Sequence, residues 1–379
     1  MAEFASRLIR WQVRHGRRDL PWQRSRDPYG VWLSEVMLQQ TQVATVLGFY
    51  TRFLDRFPTL AALAEAELDA VMPLWAGLGY YARARHLHAC AREVVTRHGG
   101  AFPRSAAAFA QLPGIGRSTA AAIAAFCFDE RVPILDGNVK RVLARHFGID
   151  GFPGSAQVER RMWALATDLL PAHGRDMPAY TQAIMDLGAT VCTRKAPRCG
   201  DCPLQTSCVA RRDGRVDVLP SARPPRRVAQ RVAHWLVLLR EGSVLLEARP
   251  PAGLWGGLLA LPAFDSAAAL ERAARSFGAS GPVEAWTPRR HAFTHFTLEF
   301  TPHLAQVDAA ALPAAEPGIG WLPLADVDRA ALPTPVRTLL HDVQGSAVAM
   351  RTAPRRGAGR AAMKRRAARL RRRTAAARD

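Results

Sequence analysis

Four of the six cysteines in this 379-residue chain, Cys192, Cys199, Cys202 and Cys208, fall within seventeen residues in the spacing C-x6-C-x2-C-x5-C. Four thiolates so close in sequence can close around one metal centre and tie a loop to itself. A zinc ribbon usually brings two C-x2-C knuckles with a long insert between them. A single C-x2-C flanked by lone cysteines suits an iron–sulfur cube better, with zinc as the alternative. Arg194, Lys195, Arg198, Arg211 and Arg212 flank the set. Positive charge stabilises a four-thiolate cube and can also face a polyanion. The segment therefore reads as a rigid basic staple rather than part of a disulfide framework. Cys90 and Cys127, in apolar helical stretches, read as buried free thiols.

The length fits two domains with tails, and 49% hydrophobic residues are enough for sizeable cores. The formal charge is +20, of which residues 351–379, with twelve basic side chains and one acid, supply +11. The body is thus basic without its tail, and nucleic acid is the expected partner; a solvated basic surface is the plainer alternative. No N-terminal apolar signal core and no 18-residue apolar run occur. A soluble cytoplasmic protein, drawn to the nucleoid through DNA, is the expectation.

Residues 1–212 read as helical, with apolar steps of three and four such as Trp32, Val36, Val43 and Leu47, and with Asp27-Pro28 as a helix start. Residues 213–231 turn to Arg, Pro and Ser and read as a stiff basic linker. Residues 232–345 change character. Runs at 232–240 and 243–248 around Glu241-Gly242 predict a β-hairpin, 266–277 a short helix and 291–301 one strand. Turns are expected around Trp321-Leu322-Pro323. Together these predict a compact α+β module. The Arg/Ala tail, 346–379, is expected to be disordered.

Three segments carry chemistry. Leu112-Pro113-Gly114-Ile115-Gly116-Arg117-Ser118 lies between helical stretches at 105–111 and 117–126. Its two glycines permit a tight turn whose amides, with the next helix's positive end, can hold a phosphate. An ordinary helix–helix turn has the same pattern. Leu135-Asp136-Gly137-Asn138-Val139 puts an acid at a helix start, where capping is the simple explanation. Glu35 is one carboxylate in the otherwise apolar or amide-bearing run Trp32–Gln42, beside Gln39, Gln40, Thr41 and Gln42. Buried, it would stay protonated near neutrality, as a general acid must; on a surface helix it would be unremarkable in its ionisation.

Taken together, the hairpin, the Asp136 loop and the terminal cysteine set resemble the endonuclease III-type superfamily of DNA base-excision glycosylases. The strings Ser34-Glu35-Val36-Met37-Leu38-Gln39-Gln40-Thr41-Gln42 and Gly77-Leu78-Gly79-Tyr80-Tyr81, with the Asp136 loop, narrow the resemblance to the MutY-type adenine DNA glycosylases over roughly residues 4–342. That family removes adenine opposite 8-oxoguanine (or guanine). The resemblance implies an all-α helix-hairpin-helix glycosylase domain with an iron–sulfur cluster loop, followed by an α+β Nudix-like domain. It also implies one 4Fe–4S cluster on Cys192, Cys199, Cys202 and Cys208, acting as a monomer on double-stranded DNA. Glu35 matches the acid that protonates adenine at N7, and Asp136 the carboxylate that steadies the positive sugar. Asn138 is expected to orient water or Asp136. Gln182 is expected to contact the flipped adenine, Tyr80 to wedge beside the lesion, and Gln40, Thr41 and Leu78 to surround it. Leu112, Gly114 and Gly116 belong to the phosphate-holding hairpin.

Ser118 stands where bifunctional relatives carry a lysine that cleaves the strand through a Schiff base, so the resemblance implies base release alone. In the second domain a working Nudix hydrolase would need several glutamates for magnesium. Residues 267–278 keep only Glu271, so lesion recognition is expected there instead. Phe293-Thr294-His295 matches the family's recognition loop with threonine in place of the usual serine, and Gly253-Leu254-Trp255-Gly256-Gly257 is expected to turn beneath it. A lyase acting on oxidised pyrimidines and a non-catalytic DNA-binding protein are the rival readings. Ser118 argues against the first, and the pairing of Glu35 with Asp136 against the second.

Overall fold

The computed structural model describes residues 2–224, 228–250, 253–293, 295–307 and 318–346. Thr294, linker residues 225–227 and the tail from 347 onward lie outside the described residues. The chain divides into two compact units, Met1–Arg227 and Val228–Asp379.

The first unit is helical. Its helices are α1 Ala2–His15, α2 Pro28–Leu38, α3 Val43–Arg56, α4 Leu60–Glu65, α5 Leu68–Trp75, α6 Ala82–His98 and α7 Ala106–Phe109. They continue with α8 Arg117–Phe128, α9 Gly137–Phe147, α10 Ala156–Asp168, α11 Met177–Asp186 and α12 Val209–Arg212. Asp27 caps α2, its carboxylate accepting from the Tyr29 N–H at 3.2 Å, with Pro28 next in chain where a missing N–H costs nothing. Tyr29 through Ser34, then Val36 and Met37, are buried, so α2 is apolar almost all round. Such a helix belongs inside a domain, and it carries Glu35 there with it. A core of Leu8, Leu143, Met162, Met177, Ala183 and Leu187 knits α1, α9, α10 and α11 together. Beyond α11 the backbone widens into a single π-turn, Leu187–Val191, and the Cys192 N–H closes onto the Leu187 carbonyl at 2.7 Å. The cysteine segment follows as short 3-10 turns, Cys199–Asp201 and Gln205–Ser207, that run into α12.

The second unit is a mixed sheet between two helices. Its strands are β1 Ala229–Arg240, β2 Ser243–Ala248, β3 Leu259–Ala260, β4 Ala263–Phe264, β5 Glu284–Ala285, β6 Arg289–Ala292, β7 Phe296–Gln306 and β8 Ile319–Pro323. Its helices are α13 Ala267–Ser276 and α14 Thr334–Gly345. The path runs β3-β2-β1-β7-β5, with β4 on β1, β6 on β7 and β8 on β2. β1 and β7 are parallel, from Ala229 opposite Phe296 to Leu239 opposite Gln306. Trp235, Val237 and Leu239 point towards α14, whereas Leu236 and Leu238 point towards α13. Burial on both faces explains why β1 reads as a continuous apolar run. The hairpin at Glu241-Gly242 forms as expected, both residues having positive φ (44° and 76°), and Ser266 caps α13.

Two expectations need correction. Residues 291–301 are not one strand: the chain reverses between Ala292 and Phe296, and β6 pairs antiparallel with β7, His291 opposite Leu298. Alternation cannot reveal a turn when both arms have the same period. Trp321-Leu322-Pro323 is not a turn but the end of β8, with Trp321 opposite Leu245; Pro323 is tolerated at the strand's last position.

Candidate active site

α2, the start of α8, the start of α9 and the end of α11 open onto one cavity of about 660 Å³. Its lining includes Glu35, Gln40, Thr41, Ser118, Asp136, Asn138 and Gln182. A second cavity, of about 360 Å³, is lined by Gln23, Ser34, Phe126 and Pro178 among others, and shares Arg17, Trp22, Glu35 and Gln182 with the first. Glu35 thus stands where the two spaces meet, partly open to them yet deep within the protein. Burial, and then the charge of Asp136, push its pKa up to about 8.

Asp136 is the N-cap of α9: Oδ1 accepts from the Val139 N–H at 2.8 Å, and Oδ2 accepts from the Asn138 amide at 3.1 Å. Capping and a role in the cavity are therefore compatible, because the two oxygens serve different partners. Burial lifts Asp136 above the ordinary carboxylate range, while the Val139 and Asn138 hydrogen bonds and the Arg141 charge oppose that lift. These same contacts favour the anion, and Asp136 can raise Glu35 only while itself charged. Ser118 Oγ accepts from the Leu135 N–H at 3.0 Å, bracing the segment that leads into Asp136.

Asp186, fully buried, organises the other wall. It accepts from the Arg17 backbone N–H and Nε at 2.9 and 2.8 Å and from Gln182 Nε2 at 2.8 Å. A carboxylate only accepts, so the Gln182 carbonyl oxygen is the end left to face the cavity. Gln23 has both amide atoms buried without a partner among the described residues. Sequence reasoning missed Arg17, Trp22, Gln23 and Asp186. The first three sit in an aperiodic turn around Pro21, and only the helical spacing of Gln182 and Asp186 hinted at their contact.

The remaining site residues divide between surface and core. Tyr80 is 50% exposed, while Leu78 and Leu112 are 5% and 4% exposed. The two leucine side chains serve packing. Gly114 has φ 74°, and a Cβ there would lie 2.6 Å from His86 Cβ, so the hairpin needs glycine for both reasons. Gly116 is the N-cap of α8.

Cys192, Cys199, Cys202 and Cys208 all line one small cavity with Arg145, Arg198 and Arg211. Arg145 is buried, its Nη1 lying 3.4 Å from Cys192 Sγ and donating to the Thr193 carbonyl at 2.7 Å. Burial pushes the Cys202 thiol up to about 12 and raises Cys208, and a metal centre would hold these two sulfurs as thiolates. Among the described residues no group of three or more His, Cys, Asp or Glu side chains has the closeness of a single-ion site. The flanking charge is also less naked than the sequence suggests, because Arg198 and Arg212 pair with Asp201 (3.6 Å) and Asp213 (2.7 Å).

In the second unit the Phe293 ring stacks on Phe296 at 4.4 Å and tilts against Trp255 at 5.7 Å, so it founds the β6–β7 turn rather than reaching outward. His295 is exposed. Trp255 (φ 56°) and Gly257 (φ 74°) form the expected turn. Glu271 pairs with Arg275 at 3.7 Å.

The family model for HhH-GPD superfamily base excision DNA repair proteins matches residues 33–167, and that for the NUDIX domain matches 234–342. The chain is 31% identical over 343 residues to the adenine DNA glycosylase of Buchnera aphidicola subsp. Baizongia pistaciae, covering 90% of this chain and 97% of that one. To the human adenine DNA glycosylase it is 36% identical over 408 residues, covering 90% and 74% respectively. The solved structure of a thermostable thymine-DNA glycosylase is similar over 55% of this chain and 95% of that chain, at 27% identity and a TM-score of 0.51. A helical base-excision domain, a Nudix-like domain after it and relatives matched over three quarters or nearly all of their length agree: the chain belongs to the adenine DNA glycosylases, DNA glycosylases of base excision repair.

Proposed function

We propose that the chain hydrolyses the N-glycosidic bond of adenine paired with 8-oxoguanine or guanine in duplex DNA, and leaves an abasic site. The observation that carries this reading is that Glu35 and Asp136 line one cavity, with burial pushing the Glu35 pKa up to about 8 and Asp136 held by the Val139 and Asn138 hydrogen bonds. A purine leaves its sugar as a neutral base when an acid supplies a proton at N7, and Glu35 holds one at neutral pH. The sugar left behind is electron-poor, and Asp136 steadies it as an anion oriented by Asn138 and the α9 amide. The base must be flipped out of the stack to reach Glu35. Trp22, Gln23 and Gln182 then wall the space it enters. The Gln182 carbonyl suits the exocyclic amino group of adenine, whereas the 6-oxo group of guanine would meet it acceptor to acceptor.

Ser118 has a hydroxyl occupied by Leu135 and no amine, which supports base release without strand cleavage. The hairpin at 112–116 suits a phosphate, and Tyr80 with Gln40 and Thr41 suits the lesion side; 8-oxoguanine recognition by the second unit is assigned to the Phe293-Thr294-His295 segment, with Phe293 packed beneath and His295 exposed. One 4Fe–4S cluster on Cys192, Cys199, Cys202 and Cys208 is supported by their spacing and by the one small cavity that all four line. When bound, it crosslinks the basic loop and takes no part in the chemistry above.

Single-turnover assays on duplexes with adenine opposite 8-oxoguanine, guanine or thymine test the reading. Expected are fragments only after alkali, fastest opposite 8-oxoguanine and absent opposite thymine. Strand breaks without alkali, or equal release opposite thymine, contradict it.

A further inference from the structure

Two turns that lie apart in sequence are held by one side chain. The turn leaving α2 carries Gln40, at φ 57°, and Thr41; the turn between α5 and α6 carries Gly79 and Tyr80, at φ 50°. Gln40 and Tyr80 both occupy the left-handed region, which a bulky side chain keeps only where its surroundings fix it. Arg83, in the first turn of α6, is 8% exposed. Its Nη1 donates to the carbonyls of Val36 and Met37 at 2.9 and 2.7 Å. Its Nη2 reaches Thr41 Oγ1 at 3.0 Å and the carbonyls of Leu78 and Gly79 at 3.1 and 3.0 Å. The guanidinium also lies over the Trp75 and Tyr80 rings, at 5.3 and 5.7 Å from their centres.

The chemistry makes Arg83 hard to replace. A planar guanidinium presents five donors in a fixed fork, so it can satisfy acceptors on two turns at once; an ammonium is a point charge on a flexible stem. The Val36 and Met37 carbonyls near the end of α2 would otherwise lack partners in the interior. Arg83 is not among the residues lining the cavity of Glu35 and Asp136, so it acts through other residues and not on the reacting bond.

We infer that Arg83 is a positioning residue that presets the Gln40–Thr41 turn and the Tyr80 turn as one unit, so that lesion-side contacts reach the duplex together. This rests on the proposed lesion-side role of those residues. Loss of the fork would leave Glu35 and Asp136 on their helices while letting the wedge and its partner turn, which lines the cavity through Gln40 and Thr41, drift apart.

Arg83→Lys, which keeps the charge and removes the fork, is the deciding variant. Single-turnover excision of adenine opposite 8-oxoguanine and opposite guanine is measured across pH. The preference for 8-oxoguanine is expected to fall by about tenfold or more, since small misplacements of positioning groups cost that much, with the pH midpoint unchanged. Wild-type rates and preference in Arg83→Lys, or a loss explained by a moved pH midpoint, would overturn the inference. Should Arg83→Lys not fold, amide exchange in the wild-type chain decides. The Thr41 and Leu78 amides, bonded to the Leu38 and Trp75 carbonyls at 3.2 and 3.0 Å, should be as protected without DNA as with it. Exchange at the rate of open chain before DNA is added would overturn it too. If the wild-type chain itself shows no preference between the two opposite bases, the mispair reading fails instead. Arg83→Lys is then judged opposite guanine alone: a rate lowered to that of Tyr80→Ala supports the shared strap, and an unchanged rate removes it.

Discussion

At Glu35 the folded chain holds a carboxyl where its proton is favoured, with burial and the Asp136 charge lifting it from 4.5 to about 8. Between those values the folded form keeps a proton that the unfolded form has released. The stability tied to Glu35 is therefore fully present below pH 4.5 and is lost as pH rises through about 8. Glu35→Gln should melt above the wild type at pH values beyond 8, by roughly 2–4 kcal/mol, with the gap closing towards acid. A melting-temperature series across pH checks both sign and window. Asp186 presents the reverse case. Asp186→Asn leaves Arg17 without its buried counter-charge and lets Gln182 turn its amide, so chemical denaturation should register a loss of about 3 kcal/mol. Adenine excision should slow with it, which single-turnover rates will report. Glu35 and Asp136 were legible because each sits in a short string tied to a helix. Gln23 and Asp186 were not, since an aperiodic turn and a buried partner four residues down a helix leave no hydropathic trace.

α9 links the chemistry to the cysteine segment. Its N-cap is Asp136, its first turn carries Asn138, and farther along Arg141 donates to Asn138 Oδ1 at 2.8 Å and to the Cys192 carbonyl at 2.7 Å. One turn on, Arg145 reaches Cys192 and Thr193. Gly188 permits this closeness, because a Cβ there would lie 2.6 Å from Asn138 Cβ. Iron and sulfide analysis of the purified protein should return about four of each per chain, and stoichiometric zinc without iron would contradict the cluster assignment. Removing the metal should weaken duplex binding while far-ultraviolet dichroism stays strongly helical, because the basic loop contributes only Leu204 to the buried α1–α9–α10–α11 core. At this scale the helices were legible from their caps and periodicity, as at Asp27-Pro28 and Ser266. The β6–β7 reversal was not, because a turn inserted between two arms of equal period leaves the alternation in place. Nor was β8, whose pairing with β2 is a long-range fact hidden behind a terminal proline.

Across the molecule the charge is lopsided: +20 overall, with +11 in residues 351–379. Each phosphate neutralised by such a tail releases a counterion. Deleting residues 347–379 should therefore lower the salt dependence of duplex binding by several units of slope while single-turnover excision keeps its rate. Titrations of binding against salt, run beside the excision assay, separate the two. No helix among the described residues is long and apolar enough to cross a membrane, and residues 267–278 of the Nudix-like unit keep a single carboxylate, Glu271, paired with Arg275, where magnesium chemistry would need several. The proposed reaction lies in the helical unit, on Glu35 and Asp136. The most direct test is the single-turnover rate of adenine release opposite 8-oxoguanine as a function of pH, for the wild-type chain and Glu35→Gln. The wild-type rate should hold through neutrality and fall as pH rises through about 8, and Glu35→Gln should lose at least about a hundredfold with that alkaline limb gone. A Glu35→Gln variant that excises adenine at the wild-type rate, or a wild-type profile flat across that range, would contradict Glu35 as the acid.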